Sequence, residues 1–210
     1  MGDLPDLRDA YDVISTTYAE LLPDTSFEAP LDLAMIDEFR ERLPADPSVL
    51  DAGCGTGRVI PYLRSLGIAR LTGTDLSPAM IEQARRAHPG LSFEAAPNDG
   101  LPFGDAVFDG VLAWYSVIHT HPRDLAVVAR EFRRVLRVEG LVLLGFQAGS
   151  GDRAISRAYG HDLELTARLH EPAEVAAILG EEGFSIDTVL RRGRRATEKH
   201  PQGFVLARRS

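Results

Sequence analysis

Val49-Leu50-Asp51-Ala52-Gly53-Cys54-Gly55-Thr56-Gly57-Arg58 reads as a buried strand that runs into glycines at alternate positions and then into a helix. Glycines so placed let the chain turn tightly and bring bare backbone N–H groups at a helix start close to ligand atoms. In a dinucleotide-binding loop the third glycine follows the second by three residues, and that position is Arg58. A phosphate-binding ATPase loop is also excluded, because no Gly-Lys-Ser or Gly-Lys-Thr follows. Asp75 ends the next apolar run, eighteen residues after Gly57, where a carboxylate can accept hydrogen bonds from both hydroxyls of a ribose. The pair of features implies an adenosine ligand.

Outward from that loop, short apolar runs alternate with amphipathic stretches. Arg58–Leu66 is predicted as the helix after the loop, Leu71–Thr74 as the second strand, and Ala79–Ala87 as a helix capped by Ser77 and opened by Pro78. Strands are expected at Leu91–Glu94, Phe108–Trp114 and Gly140–Phe146. The stripe Leu125, Val128, Phe132, Val135 and Leu136 marks a helix at a 3.6-residue period. Pro172–Glu182 reads as a last helix stopped by Gly183, followed by strands at Phe184–Leu190 and Gly203–Ala207. The fold class is therefore α/β: a doubly wound, mainly parallel sheet of seven strands with an antiparallel C-terminal edge. A single domain, 1–210, is expected, divided into a helical cap (1–42), a ligand-binding core (43–147), an insertion (148–170) and a C-terminal helix with edge strands (171–210). The cap and the insertion, the latter too long for a compact connection, are candidates for a lid or substrate wall.

The run Asp51-x-Gly53-x-Gly55-x-Gly57, followed by Thr72-Gly73-Thr74-Asp75, resembles the class I S-adenosylmethionine-dependent methyltransferase family. The likeness extends through Leu101-Pro102-Phe103, Val107-Phe108-Asp109 and Glu131-Phe132-Arg133-Arg134-Val135-Leu136-Arg137-x-x-Gly140, covering roughly residues 45 to 207. It is nearest to the small-molecule branch that includes quinone and natural-product enzymes. The resemblance implies a Rossmann-like methyltransferase fold and S-adenosyl-L-methionine as cofactor, with S-adenosyl-L-homocysteine as product. It further implies that Asp51, Gly53 and Gly55 surround the methionine moiety, that Asp75 holds the ribose and that Leu76 lies by the adenine. Gly57, Arg58, Ala113 and Trp114 complete the expected cofactor wall, and Tyr11 and Tyr18, seven apart on one helix face, are expected either over the sulfonium or in helix packing. The family's usual Gly-Asp before Leu-Pro-Phe is replaced by Ala96-Pro97-Asn98-Asp99-Gly100, so the adenine amino group is expected to meet Asn98, Asp99 or a backbone carbonyl.

Methyl transfer is an in-line displacement in which the protein supplies alignment and excludes water. No metal is expected. A hydroxyl acceptor needs a base, and the family places acceptor-facing residues just past the fourth strand, here Trp114 to Pro122. His119 is the first candidate for base or acceptor-orienting residue and His121 the second, because imidazole titrates near neutral pH; either could equally serve as a hydrogen-bonded helix-start residue. Cys54 reads as a small side chain within the loop, not as a nucleophile.

At 210 residues, with 44% hydrophobic and 26% charged residues, the chain has the composition of a folded globular protein. A formal charge of −8 disfavours nucleic acid as a partner. The basic surplus of six over the last twenty residues reads as a solvated face rather than an anion site. The acidic start lacks a signal-peptide pattern, Asp6 stands where myristoylation wants Ser or Thr, and no apolar run approaches the ~20 residues of a membrane span. One cysteine fits a reducing compartment, so a cytoplasmic protein with no membrane partner, acting on a small-molecule acceptor as monomer or homodimer, is expected. Three other readings stand beside this one. A nicotinamide oxidoreductase is disfavoured by the glycine spacing and by the lack of a Tyr-x-x-x-Lys pair. A cofactor-binding protein without methyl transfer, or with other chemistry at the site, stays open. Methylation of a macromolecule is disfavoured by the acidic charge and by the absence of a Pro-Pro-aromatic motif after the fourth strand.

Overall fold

The computed structural model describes residues 4–210. The first three positions of the expected N-terminal cap, and the Met-Gly start weighed for lipid attachment, lie outside the described residues. Two helices open the chain, α1 (Leu4–Leu21) and α2 (Pro30–Arg42). There follow β1 (Ser48–Ala52), α3 (Ile60–Ser65), β2 (Arg70–Asp75), α4 (Pro78–Ala87), β3 (Ser92–Ala95) and β4 (Phe108–Trp114). The remainder is α5 (Leu125–Val135), β5 (Leu136–Gln147), β6 (Asp152–Ala158), β7 (His161–Arg168), α6 (Pro172–Glu181), β8 (Phe184–Arg192) and β9 (Gln202–Arg209).

Seven strands form one sheet in the order β3-β2-β1-β4-β5-β9-β8. The first five are parallel, and β9 pairs antiparallel with both β5 and β8, which makes the expected antiparallel C-terminal edge. Because β9 is inserted between β5 and β8, the outermost strand β8 runs in the common direction. Central strands are buried on both faces, and their apolar runs follow from that: Val49, Leu50, Val111, Leu112, Val142 and Leu143 are wholly inaccessible. Helices α5 and α6 cover one face through Val128, Phe132, Val135, Val175 and Leu179. Helices α2, α3 and α4 cover the other through Ile36, Phe39, Ile60, Leu63 and Ile81.

Three boundaries depart from expectation. Helix α3 begins at Ile60 rather than Arg58, because residues 53–59 are spent in turns of the glycine loop, and Pro61 sits in its first turn. Helix α5 passes directly into β5 at Leu136, with Glu139 at a left-handed φ of 65° where the register shifts. Within 148–170, β6 and β7 form an antiparallel hairpin instead of an irregular connection. Its two-residue turn is Tyr159-Gly160, with φ of 51° and 84°, the geometry that matches the twist of paired strands. The hairpin is seated on the segment after β4, where Arg168 N–H donates to the Ile118 carbonyl at 2.6 Å. No helix among the described residues is long and apolar enough to cross a membrane.

Candidate active site

Successive strands are added to one side of β1 as far as β3 and to its other side from β4 onward, and a crevice forms outside the carboxyl ends of the strands at such a switch. Here it is a cavity of about 880 Å³, with α1 and the β6–β7 hairpin forming its roof. The glycine loop is its floor. Gly53 has φ +76°, and a Cβ there would stand 2.2 Å from the Cβ of Ser116, so only glycine lets β1 pass under the segment after β4. At Gly55, φ +55°, a Cβ would face the Tyr18 ring across 3.7 Å and fill the cradle between loop and roof. Backbone N–H groups of Gly53 and Cys54 donate to the Thr74 carbonyl at 2.7 and 2.8 Å, which fixes the loop against the tip of β2.

Asp75 ends β2 beside that loop. Its carboxylate accepts from Gly55 N–H and Ser77 N–H, each at 2.9 Å, and lone pairs remain for a ligand's hydroxyls. Burial raises Asp75 to about 6 and Asp51 to about 7. Asp51 is 1% exposed and its Oδ2 has no hydrogen-bond partner among the described residues. Glu28 is in the same position. Its Oε1 accepts from Arg58 at 2.5 Å and from the Trp114 indole at 3.1 Å, while its buried Oε2 has no partner. A buried carboxylate oxygen without a hydrogen-bond partner is costly, so the free oxygen of Glu28 beside the glycine cradle suits a ligand that brings N–H or O–H donors to this end.

Helix α1 is pinned over the cavity by two adjacent residues, Tyr11 and Asp12. Asp12 accepts from Ser77 Oγ at 2.5 Å and from Ala79 N–H at 3.0 Å, placing an anion at the N-terminus of α4. Tyr11 meets His119, its hydroxyl 2.8 Å from Nε2. The other ring nitrogen of His119, Nδ1, lies 2.7 Å from the Thr166 carbonyl of the hairpin. A carbonyl only accepts, so Nδ1 carries the proton; burial lowers the His119 pKa and keeps the ring neutral. Nε2 is then a bare lone pair, and Tyr11 O–H donates to it. Tyr18, one face along α1, packs edge-on against Tyr159 at the hairpin tip, ring centroids 5.0 Å apart.

Of the residues expected from sequence, Tyr11, Tyr18, Gly53, Gly55, Arg58, Asp75, Leu76, Asn98, Asp99, Trp114, His119 and His121 line this one cavity. Asp51, Gly57 and Ala113 do not. Asp51 lies beneath the loop, a Cβ on Gly57 would strike the His88 ring at 2.7 Å, and Ala113 is wholly buried in the core. Their contribution is to the shape of the floor, not to its surface. Asn98 Nδ2 donates to Ser116 Oγ at 3.4 Å. His121 caps the short helical turn Pro122–Asp124, its Nδ1 accepting from Arg123 N–H at 3.2 Å. Glu28 and Gln147 were not singled out from sequence, and Tyr159 only as part of the insertion at 148–170, yet all three line the cavity. Glu28 lies in a loop with no motif, and Tyr159 occupies a left-handed turn position where asparagine would have been the legible signal.

The basic tail is not a free cationic face. Arg192 makes paired bonds to Asp32 at 2.6 and 2.8 Å and to Glu198 at 2.8 and 2.9 Å, and Arg195 also binds Glu198 at 2.8 Å. Arg192 holds Glu198 down at about 2. The surplus positive charge of the C-terminus is thus matched partly by a carboxylate of α2, and the resulting network forms the cavity rim at Arg195 and Glu198.

The methyltransferase domain family matches this chain over residues 49–140. A malonyl-[acyl-carrier protein] O-methyltransferase of Pseudescherichia vulneris is 39% identical over 108 residues, 51% of this chain and 41% of that protein. An O-methyltransferase of Aspergillus sclerotiorum is 30% identical over 183 residues, 78% of this chain and 66% of its own length. Among solved structures, the 1,6-didemethyltoxoflavin-N1-methyltransferase of Burkholderia thailandensis, with 1,6-didemethyltoxoflavin and S-adenosylhomocysteine bound, superposes with a TM-score of 0.75. Identity there is 24%, with 98% of this chain and 88% of that one covered. The chain spans about half the length of the first curated relatives it matches.

Proposed function

The chain belongs to the class I S-adenosylmethionine-dependent methyltransferases, and from that premise we propose that it transfers a methyl group from S-adenosyl-L-methionine to an oxygen or nitrogen of a small-molecule acceptor. The observation that carries this reading is the cavity itself, in which the glycine cradle, the Asp75 carboxylate and the unpaired oxygen of Glu28 surround one end while the Tyr11–His119 pair stands over another. The residues fit the cofactor. Asp75 would hold the ribose diol, Leu76, Met80, Ala96 and Pro97 offer an apolar slot for the adenine, and Glu28 offers its free oxygen to an ammonium. When bound, the cofactor supplies an electrophilic methyl on sulfur and a neutral thioether as leaving group.

The protein's own groups then align the acceptor and take its proton. A hydroxyl acceptor would pass its proton to the Tyr11 oxygen while the Tyr11 proton moves to Nε2 of His119, 2.8 Å away. His119 becomes imidazolium, held by the Thr166 carbonyl. The roof of α1 and hairpin excludes water that would otherwise compete for the methyl group.

The direct test is incubation with the cofactor and a panel of small hydroxyl, carboxyl and amine compounds, read by mass spectrometry. Formation of S-adenosylhomocysteine together with a product heavier by one methylene supports the proposal; cofactor binding with no product from any acceptor favours a binding protein instead. Asp75→Ala is expected to weaken cofactor binding by ~1–3 kcal/mol through loss of charge-assisted bonds to the ribose. Equal affinity in the variant would remove Asp75 from the ribose.

The raised pKa values of Asp51 and Asp75 give a pH dependence of definite sign. Between the ordinary carboxylate range and about 7 the free folded protein holds protons that the unfolded chain has lost. These two groups therefore favour the fold most at low pH, and that contribution fades as pH rises through 6 to 7. A cationic ligand favours their ionised forms. Binding near pH 6 should release roughly one proton, and affinity should rise from pH 5.5 to about 8. Titration in two buffers of different ionisation enthalpy measures the released proton, and proton uptake in its place would contradict the assignment.

A further inference from the structure

From the hydrogen bonds at the end of β5 we infer that Gln147 reads the methyl acceptor, its amide N–H donating to a neutral carbonyl oxygen, so that the acceptor is a hydroxy or amino compound bearing a ketone, ester or amide carbonyl. The inference rests on the methyltransferase reading and adds a specificity-determining residue and the substrate class.

Gln147 is the last residue of β5 and lines the cavity. Across the β5–β9 pair its direct register partner is Gln202, so the two amides stand side by side on one face of the sheet. Gln202 is committed at both ends: its Oε1 accepts from the Tyr115 hydroxyl at 2.8 Å and its Nε2 donates to the His200 carbonyl at 2.9 Å. Gln147 is committed at one end only. Arg153 Nη2 donates to Gln147 Oε1 at 3.3 Å. A guanidinium only donates, so the atom facing it is the oxygen, and turning the amide over would set N–H against N–H. The Gln147 Nε2 makes no hydrogen bond among the described residues, and it is not one of the buried side-chain atoms left without a partner there, so its protons are open to the cavity. A donor on the oxygen also polarises the amide and strengthens its N–H as a donor.

The charges around this end select a neutral group. Each arginine that lines the cavity is already matched by a carboxylate, Arg58 by Glu28, Arg168 by Asp152 and Arg195 by Glu198. Asp124 and Glu164 line the wall on the hairpin side and would repel an acceptor carboxylate. Arg153 stands behind Gln147, outside the lining, and acts on a ligand only through the amide it orients. A carbonyl oxygen takes the Nε2 hydrogen bond without bringing charge. The Arg153 guanidinium also lies near enough to Tyr11 and His119 for its charge to act on both, which places Gln147 beside the proton relay. A carbonyl held by Nε2 and a hydroxyl offered to Tyr11 can therefore belong to one small molecule.

The test uses meta- and para-hydroxyacetophenone, each against the ethylphenol of the same substitution, titrated calorimetrically into protein already saturated with S-adenosylhomocysteine. The members of each pair differ in one carbonyl oxygen. At least one hydroxyacetophenone is expected to bind about 3- to 10-fold more tightly than its ethylphenol. Gln147→Glu keeps the shape of the side chain and its contact with Arg153 but removes the donor, and should bring that ratio to one or below. Arg153→Met leaves the amide free to turn and should lower the ratio while the ethylphenol binds as before; equal weakening of both probes would remove Arg153 as the positioning residue. Equal affinities within both pairs, no binding of any probe, or an undiminished ratio in a Gln147→Glu protein that still takes up S-adenosylhomocysteine would overturn the inference. The wild-type ratios need no variant and decide the matter even if both variants fail to fold. Failure of the protein to take up S-adenosylhomocysteine at the start would count against the methyltransferase reading instead, so the two failures are distinguishable.

Discussion

Replacing Arg192 by alanine is expected to destabilise the fold by about 3–5 kcal/mol, the largest stability effect among single side chains of the site region. The guanidinium is 10% exposed, and its two carboxylate partners, Asp32 and Glu198, are 2% and 15% exposed. Without it, Asp32 keeps one bond, from Ala29 N–H at 3.0 Å, and stays buried as an anion with no cation to match. Such an orphaned charge costs far more than the loss of a surface pair, which is worth ~0–1 kcal/mol. For a domain of this size the melting temperature should fall by roughly 6–20 °C. Arg192→Lys keeps the charge but only part of the fork and should lie between the two. The network also ties α2 to the β8–β9 connection at the cavity rim, so cofactor affinity should weaken along with stability. A fall of less than ~1 kcal/mol in urea unfolding would mean that water already screens the pair.

The second large effect concerns turnover. His119→Ala is expected to slow methyl transfer to a hydroxyl acceptor ~100-fold or more while cofactor affinity stays as in the parent protein. Tyr11→Phe should do nearly the same, because the two side chains form one relay: Tyr11 O–H donates to Nε2, and Nδ1 is committed to Thr166. Since both act on one proton, the double variant should be little worse than either single one. The pH profile supplies a readout that a merely structural role would not move. The His119 ring has its pKa lowered by burial, so activity should be lost on acidification below the ordinary histidine range rather than within it. Turnover at the parent rate in both variants would make the pair a packing contact between α1 and the hairpin.

The parts of this architecture that were legible in sequence are those in which one local rule decides. The β1–loop–α3 unit declared itself through Gly53, Gly55 and Gly57, and the Ser77-Pro78 cap is realised by Ser77 Oγ accepting from Met80 N–H at 3.0 Å. Helix α5 was legible because Leu125, Val128, Phe132 and Val135 form a single buried stripe. What the sequence did not disclose depends on partners far along the chain. Strand β7 alternates Leu163, Leu165 and Ala167 with Asp162, Glu164 and Thr166, but its partner β6 is mostly polar and the turn between them carries a tyrosine in place of Asn-Gly or Asp-Gly, so the pair gave no hairpin signal. Glu28 acquires its place through Arg58 and Trp114, thirty and eighty-six residues away. The basic C-terminal segment looked like a solvated face because its counter-charge, Asp32, lies 160 residues earlier. His119 was identified, but its neutral state and its tie to Tyr11 follow only from the contact of α1 with the hairpin.

The measurement closest to the central claim is calorimetric titration of the purified, ligand-stripped protein with S-adenosyl-L-methionine and S-adenosyl-L-homocysteine. The cavity floor described here predicts one site per chain with micromolar affinity for both compounds. A folded sample that binds neither would contradict the account, for the glycine cradle and Asp75 would then serve some other ligand.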